Sequence, residues 1–218
     1  MKKKTYGFLL ILFSVSLNAQ VRGSVDLGLY RHTDFQESVY IQGGLGLEVK
    51  VYKFLKPELS VSYYYGSLED YSKLDDQGNV TSVSTANASA LNFGFTPKIC
   101  ISCGEYSAGD ALLQILPIYN IARIEAQGNY TAINQSSQAQ ITTKKETVTE
   151  WQQSIGIGVG LDIILSDKNY DSLAVNLYYT GVNMGKALGR VEKSETRYDS
   201  RTLGLGLNYY FGFKKKKN

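Results

Sequence analysis

Leu203-Gly204-Leu205-Gly206-Leu207-Asn208-Tyr209-Tyr210-Phe211-Gly212-Phe213 decides the fold. Its odd positions are all large and apolar, and its even positions are glycine, asparagine or, once, tyrosine. A β-strand sends alternate side chains to opposite faces, so this stretch has one greasy face and one narrow, wettable face. The same period recurs upstream. Val21 to Tyr30 carries Val25, Leu27 and Leu29, and Val39 to Tyr52 carries Ile41, Leu45, Leu47, Val49 and Val51. Lys53 to Lys56 reads as a turn, and Pro57 opens a third strand with Leu59, Val61, Tyr63 and Tyr65. Proline suits a strand's first residue, where its missing N–H matters least.

Three further strands are clear. Ala88 to Ile99 alternates through Leu91, Phe93 and Phe95. Val148 to Leu165 sets Trp151, Ile155, Ile157, Val159, Leu161 and Ile163 against Gly156, Gly158, Gly160 and Asp162. Leu173 to about Val182 carries Val175, Leu177 and Tyr179. Leu113 to Tyr130 is irregular, because Ile115, Tyr119 and Ile121 share one parity while Leu116, Ile118 and Ile124 share the other. A β-bulge near Pro117 would reconcile them, since one extra residue flips every later side chain. The expectation is all-β: an eight-stranded, antiparallel, up-and-down transmembrane β-barrel over residues 20–213.

The ends read differently. Lys2, Lys3 and Lys4 precede an apolar run from Gly7 to Leu17, and Ala19 offers a small residue for cleavage, so residues 1–19 read as a signal peptide. Without those three lysines the chain's bases and acids balance, and setting aside Lys214 to Lys217 leaves the barrel body mildly acidic. That argues against nucleic-acid binding, which needs a basic patch. Residues 214–218 read as a solvated, Lys-rich periplasmic tail. No later apolar run reaches the ~20 residues of a spanning helix.

Residues 67–87, 131–147 and 183–199 read as long polar loops, whereas Lys53–Lys56 and Ser166–Asp171 are short. Long loops on one rim and short turns on the other fit a transmembrane barrel with its long loops outside the cell. Cys100 to Leu112 is long for a periplasmic turn and could hold a helical turn near Ala108 to Leu112.

Alternation alone does not say which face is inside; a soluble lipocalin-like carrier would turn its greasy face inward. Glycine-rich polar rows favour a tight, side-chain-filled lumen. Aromatic residues near the ends of the greasy rows, Tyr63, Tyr65, Trp151, Tyr209, Phe211 and Phe213, favour an interfacial girdle. On these residues the chain resembles the small outer-membrane β-barrel proteins of the porin family, related to the OmpA barrel domain and OmpX. The resemblance implies an outer-membrane location in a Gram-negative-type cell, contact with outer-membrane lipid and insertion by the barrel machinery. Family members usually end on an aromatic residue, whereas here five residues follow Phe213.

No residue set declares a chemistry, and no cofactor or metal is expected. Cys100-Ile101-Ser102-Cys103 reads as a local disulfide, two thiols or a redox pair. His32 is the single histidine, with Asp34 and Glu37 nearby. Some barrels resembling this one modify lipid with such a histidine, which gives an enzymatic alternative. Arg22, Asp26, Glu48, Lys50, Glu58, Lys98 and Asp162 all fall on polar rows and must pair inside a narrow lumen. The leading expectation is a monomeric, non-enzymatic barrel acting through exposed loops. Its task would be adhesion, binding of an extracellular or envelope protein, envelope integrity, or support of an envelope complex.

Overall fold

The computed structural model describes residues 20–33, 39–67, 71–101, 107–134, 140–166, 170–179, 181–192 and 201–212. The expected signal peptide (residues 1–19), Phe213 and the expected tail (residues 214–218) therefore lie outside the described residues. The elements are β1 (Gln20–His32), β2 (Val39–Lys50), β3 (Leu55–Ser67), β4 (Tyr71–Leu74), β5 (Val80–Cys100), β6 (Ala111–Asn134), β7 (Gln140–Ile164), β8 (Ser172–Tyr179), one helix α1 (Gly185–Glu192) and β9 (Thr202–Gly212).

Eight strands close a ring. β1 pairs with both β2 and β9, the ladder runs through β8, β7, β6 and β5, and β5 pairs with β3 to complete the circle. All pairings are antiparallel. Partners in every ladder of the ring share parity, as in Arg22↔Gly212, Leu59↔Phe95 and Leu161↔Val175. One rule thus holds around the whole barrel: odd residues face out and even residues face in.

The outward rows form a continuous apolar belt. Leu27 is 65% exposed and Ile155 76%, and Val61, Phe93, Leu161, Leu177 and Leu207 stand with them. Surface of this size and apolarity requires hydrocarbon around it. The soluble-carrier alternative is thereby overturned, since its greasy rows would face inward. The belt's upper edge can be read across three paired strands. Phe95, Tyr119 and Ile155 share one level, while four residues higher on each strand β6 carries Arg123 and β7 carries Trp151.

The fifth predicted strand contains no bulge. β6 keeps a single register with β7 from Ala111↔Ile163 to Asn134↔Gln140. Leu116 and Ile124 are instead buried inside, where each finds apolar partners. The suggested helical turn near Ala108 is a hydrogen-bonded turn at Gly109 (φ +94), followed directly by β6. Lys56 is not in a turn, because β3 starts at Leu55 and points Lys56 into the lumen.

Two of the predicted loops are largely strand. β5, β6 and β7 run for 21, 24 and 25 residues, far beyond the ~9–11 that cross a bilayer. Their upper parts form a sheet that rises above one side of the barrel. β3 leaves β5 at Ser67↔Asn87, and β4 takes over at Tyr71↔Ser84. The third predicted loop folds back inward as α1.

The position of a charge along β9 should matter. Leu207→Arg, in the middle of the belt, is expected to cost about 2–4 kcal/mol, and Leu203→Arg, at its edge, about 0–1. Urea unfolding of the protein in vesicles measures both, and equal costs would contradict the belt's placement.

Candidate functional site

The lumen is filled in layers. At the short-turn end three cations and three carboxylates meet. Arg22 Nη2 lies 2.7 Å from Glu48 Oε1 and 3.2 Å from Asp162 Oδ2. Lys98 Nζ is 2.9 Å from Glu48 Oε2, pairs with Glu58, and donates to the Tyr210 hydroxyl. Lys56 Nζ reaches Asp162 Oδ2 at 3.6 Å. Ser24 donates to Glu58 at 2.7 Å, Gln114 to Asp162 at 3.1 Å, and Arg22 to Ser172 at 2.8 Å. The Tyr210 ring lies under both cations, 4.7 Å from the Arg22 guanidinium carbon and 3.9 Å from Lys98 Nζ.

The five expected residues Arg22, Glu48, Glu58, Lys98 and Asp162 are thus brought together, and Lys56 joins them. Sequence reasoning missed Lys56 because the turn was placed too long; its even number was the available signal. Lys50 sits half-exposed at the end of β2, outside this buried cluster. Asp26 lies one layer higher and accepts a hydrogen bond from Gln42. Around that level Asn92 donates to Asn120 at 3.0 Å and Asn176 to Asn208 at 2.8 Å. A recess of only about 60 Å³ remains there.

Aromatic rings close the next layer. Tyr30 stacks on Tyr178 at 5.9 Å and meets Tyr64 edge-on at 5.2 Å. Gly204 allows this, because a Cβ there would sit 2.3 Å from the Tyr30 ring. His32 is 0% exposed, its ring edge-on to Tyr40 at 4.9 Å. It is therefore not a rim histidine open to substrate, as the enzymatic alternative required. Asp34, Glu37 and Cys103 lie outside the described residues. Cys100 is buried on the lumen face of β5, opposite Gln114.

α1 caps the stack. Asn183 Oδ1 accepts the Gly185 N–H at 3.0 Å at the helix start. Eight residues form a marginal helix alone, so packing must hold it. Val182, Met184, Ala187, Leu188 and Val191 pack on Ala86, Ala88 and Ala90 of β5 and on Ala122, Ile124 and Ala126 of β6. These small residues let the helix approach the sheet closely. At Gly128 a Cβ would lie 2.0 Å from Val191 Cγ1. Arg190 Nη1 reaches Glu150 Oε2 of β7 at 2.9 Å. A recess of about 290 Å³ opens where the helix end meets Tyr130, Lys144 and Glu146.

The expected girdle residues Tyr63, Tyr65, Trp151, Tyr209 and Phe211 all point outward and are exposed. Tyr65 and Trp151 stand at the long-strand end, Tyr209 and Phe211 at the short-turn end. Phe213 is outside the described residues. A closed ring of eight strands, a continuous greasy belt and a filled polar lumen leave one reading. The protein is a small outer-membrane β-barrel.

Among solved structures the chain is similar to several outer-membrane and surface proteins. The major outer membrane protein of Thermus thermophilus is 16% identical, with a TM-score of 0.49 over 88% of this chain and 99% of that one. Ail, the attachment invasion locus protein of Yersinia pestis, is 8% identical, with a TM-score of 0.41 over 89% and 97%. Neisserial surface protein A is 10% identical, with a TM-score of 0.36 over 89% and 97%. No protein-family model and no curated protein sequence matches the chain.

Two outcomes follow from this packing. Glu48→Ala strips both Arg22 and Lys98 of a carboxylate and should cost about 3–5 kcal/mol without opening a pore. Planar-bilayer recording of the wild type and the variant should show no steady conductance; stable steps from either would contradict a filled lumen. Gly128→Val should push α1 off the sheet, seen as faster proteolysis within residues 185–192, while the barrel's heat-shifted gel mobility stays unchanged.

Proposed function

We propose that this barrel is a sealed, non-enzymatic presenter, which acts by holding a rigid β-sheet outside the cell for a protein partner to bind. One observation carries the reading: on one side only, the wall continues as paired strands far above the greasy belt, with a helix fixed to its inner face. A strand of 24 residues spans roughly 80 Å, far more than membrane crossing requires. Loops meant only to join strands would be shorter. The filled lumen argues against transport, and buried His32 offers no base to a lipid substrate.

The outer face of this extension has the composition of a binding surface. Trp151 is 64% exposed and lies opposite Arg123 in register, with Glu125, Gln127 and Asn129 along the same row of β6. Tryptophan, tyrosine and arginine are the residues that most often dominate binding energy at interfaces. On the other face of the sheet, beside the end of α1, Tyr130, Lys144 and Glu146 add polar and aromatic groups near the tip.

The test is to shorten the sheet within its own register. Joining Asn129 to Lys145, a paired position, through a two-residue turn removes the tip and leaves the barrel intact. Cells displaying equal amounts of each form are compared for aggregation and for attachment to protein-coated plates. The shortened form should lose attachment. Equal attachment, with a new sensitivity to detergent, would move the role to envelope support.

A further inference from the structure

The outer wall is not evenly convex. At the extracellular end a groove of about 710 Å³ crosses β7, β8, β9 and β1, walled by Ile157, Val159, Leu177, Leu29, Leu203 and Leu205. It forms where strand heights differ. β8 ends at Tyr179, opposite Ile157, while β7 continues upward to Gln140. Behind the wall, the Tyr30 and Tyr178 rings lie close against Gly204 and Gly158. Four adjacent strands make the groove roughly 14 Å wide, more than one hydrocarbon chain fills.

Its polar end is cationic. Arg31 lines the groove directly. Thr33 donates its backbone N–H to Arg201 at 2.8 Å, which continues the β1–β9 ladder past Arg31↔Leu203. Arg201 is thus the diagonal neighbour of Arg31 on the same outer face, about 7–8 Å away along the backbone and somewhat closer between Cβ atoms. The Arg201 guanidinium donates to the Tyr179 hydroxyl at 2.8 Å, and Tyr179 also lines the groove. Both arginines are exposed.

We propose that this groove binds a phosphate-bearing, multiply acylated lipid of the outer leaflet. Its acyl chains fill the groove and its phosphate sits between Arg31 and Arg201. The groove lies in the greasy belt, so its occupant is hydrocarbon. It lies at the end opposite the short turns, so the hydrocarbon belongs to the outer leaflet. Planar guanidinium groups match phosphate oxygens in pairs, which favours an anionic phosphate over a neutral headgroup. The site is independent of the protein-binding extension and stands whether or not that reading holds.

Native mass spectrometry of the full-length barrel tests the site, with lipid A as probe and dephosphorylated lipid A and phosphatidylethanolamine as comparators. Wild type should retain lipid A, and each comparator should bind at least tenfold more weakly, the loss expected for about one charge-assisted hydrogen bond. Arg31→Gln with Arg201→Gln should weaken lipid A by a similar factor, while Lys53→Gln, exposed in the β2–β3 turn at the other end of the barrel, should leave it unchanged. Heat-shifted gel mobility checks that each variant folds. Equal retention of the three lipids, or equal retention by the double variant, would reduce the groove to ordinary annular contact. A dimer mass without bound lipid would assign it to a second copy of the chain. Both results overturn the proposal. The comparison of lipids needs no variant at all.

Discussion

Closure of the sheet is the constraint from which the rest follows. A ring of hydrogen-bonded strands has no edges, so every backbone donor and acceptor in the membrane is satisfied by a neighbour. The price is that every residue must face either lipid or lumen, with no third option. Because all ladders in the ring join residues of like parity, a single inserted residue would turn a greasy row inward and a charged row into lipid. This explains why the β5–β6 ladder keeps one register past Pro97 and Pro117, from Phe95↔Tyr119 to Ile99↔Ile115, without a bulge. A register slip there would carry Leu116 and Ile124 out and Arg123 in.

Once the wall is closed, the lumen must be filled, and its contents are graded along the axis. Charges gather at the short-turn end, amides in the middle, and tyrosines with α1 at the mouth. Each layer suits its neighbours. Glu48 serves two cations at once, and Tyr210 offers them a ring face and an oxygen, so removing one member strands several. The apolar cap is possible only because the wall beside it continues upward as alanine-rich strands. Val182, Met184 and Leu188 would otherwise face water. The seal and the extension are therefore one construction.

Much of this was legible in the sequence. Leu203 to Phe211 announces a lipid-facing strand by parity alone, and the same parity places Arg22, Glu48, Glu58, Lys98 and Asp162 inside. The extension was not legible, because polar strands such as Thr142 to Thr149 lack a greasy row. Above the membrane, backbone pairing with β6 holds them, and their side chains are free to be threonine and lysine. α1 was hidden for a related reason. Its seat is a patch of small residues, Ala86, Ala88, Ala90, Ala122, Ala126 and Gly128, whose alternation is audible only once a helix is known to lie on it. His32 misled in the opposite sense, since a strand end beside acidic residues looks like a rim, yet its even number already directed it inward under Tyr40.

The part of the wall that leaves the ring regains the edge problem that closure had removed. β5 solves it by exchanging partners: β3 departs at Asn87, and β4 supplies a new strand from Ser84. On the side of β8, β7 has no ladder partner above Ile157 among the described residues, and this edge carries Lys144, Lys145, Glu146 and Glu150. Charges on an edge discourage a stray strand from adding to it. The inner face of the sheet is occupied by α1. What remains open is the outer face, with Arg123 and Trp151, and the tip, with Tyr130. The same devices that keep the sheet from aggregating also restrict where the proposed partner could approach it, so protection of the edges and exposure of a single face come from one arrangement.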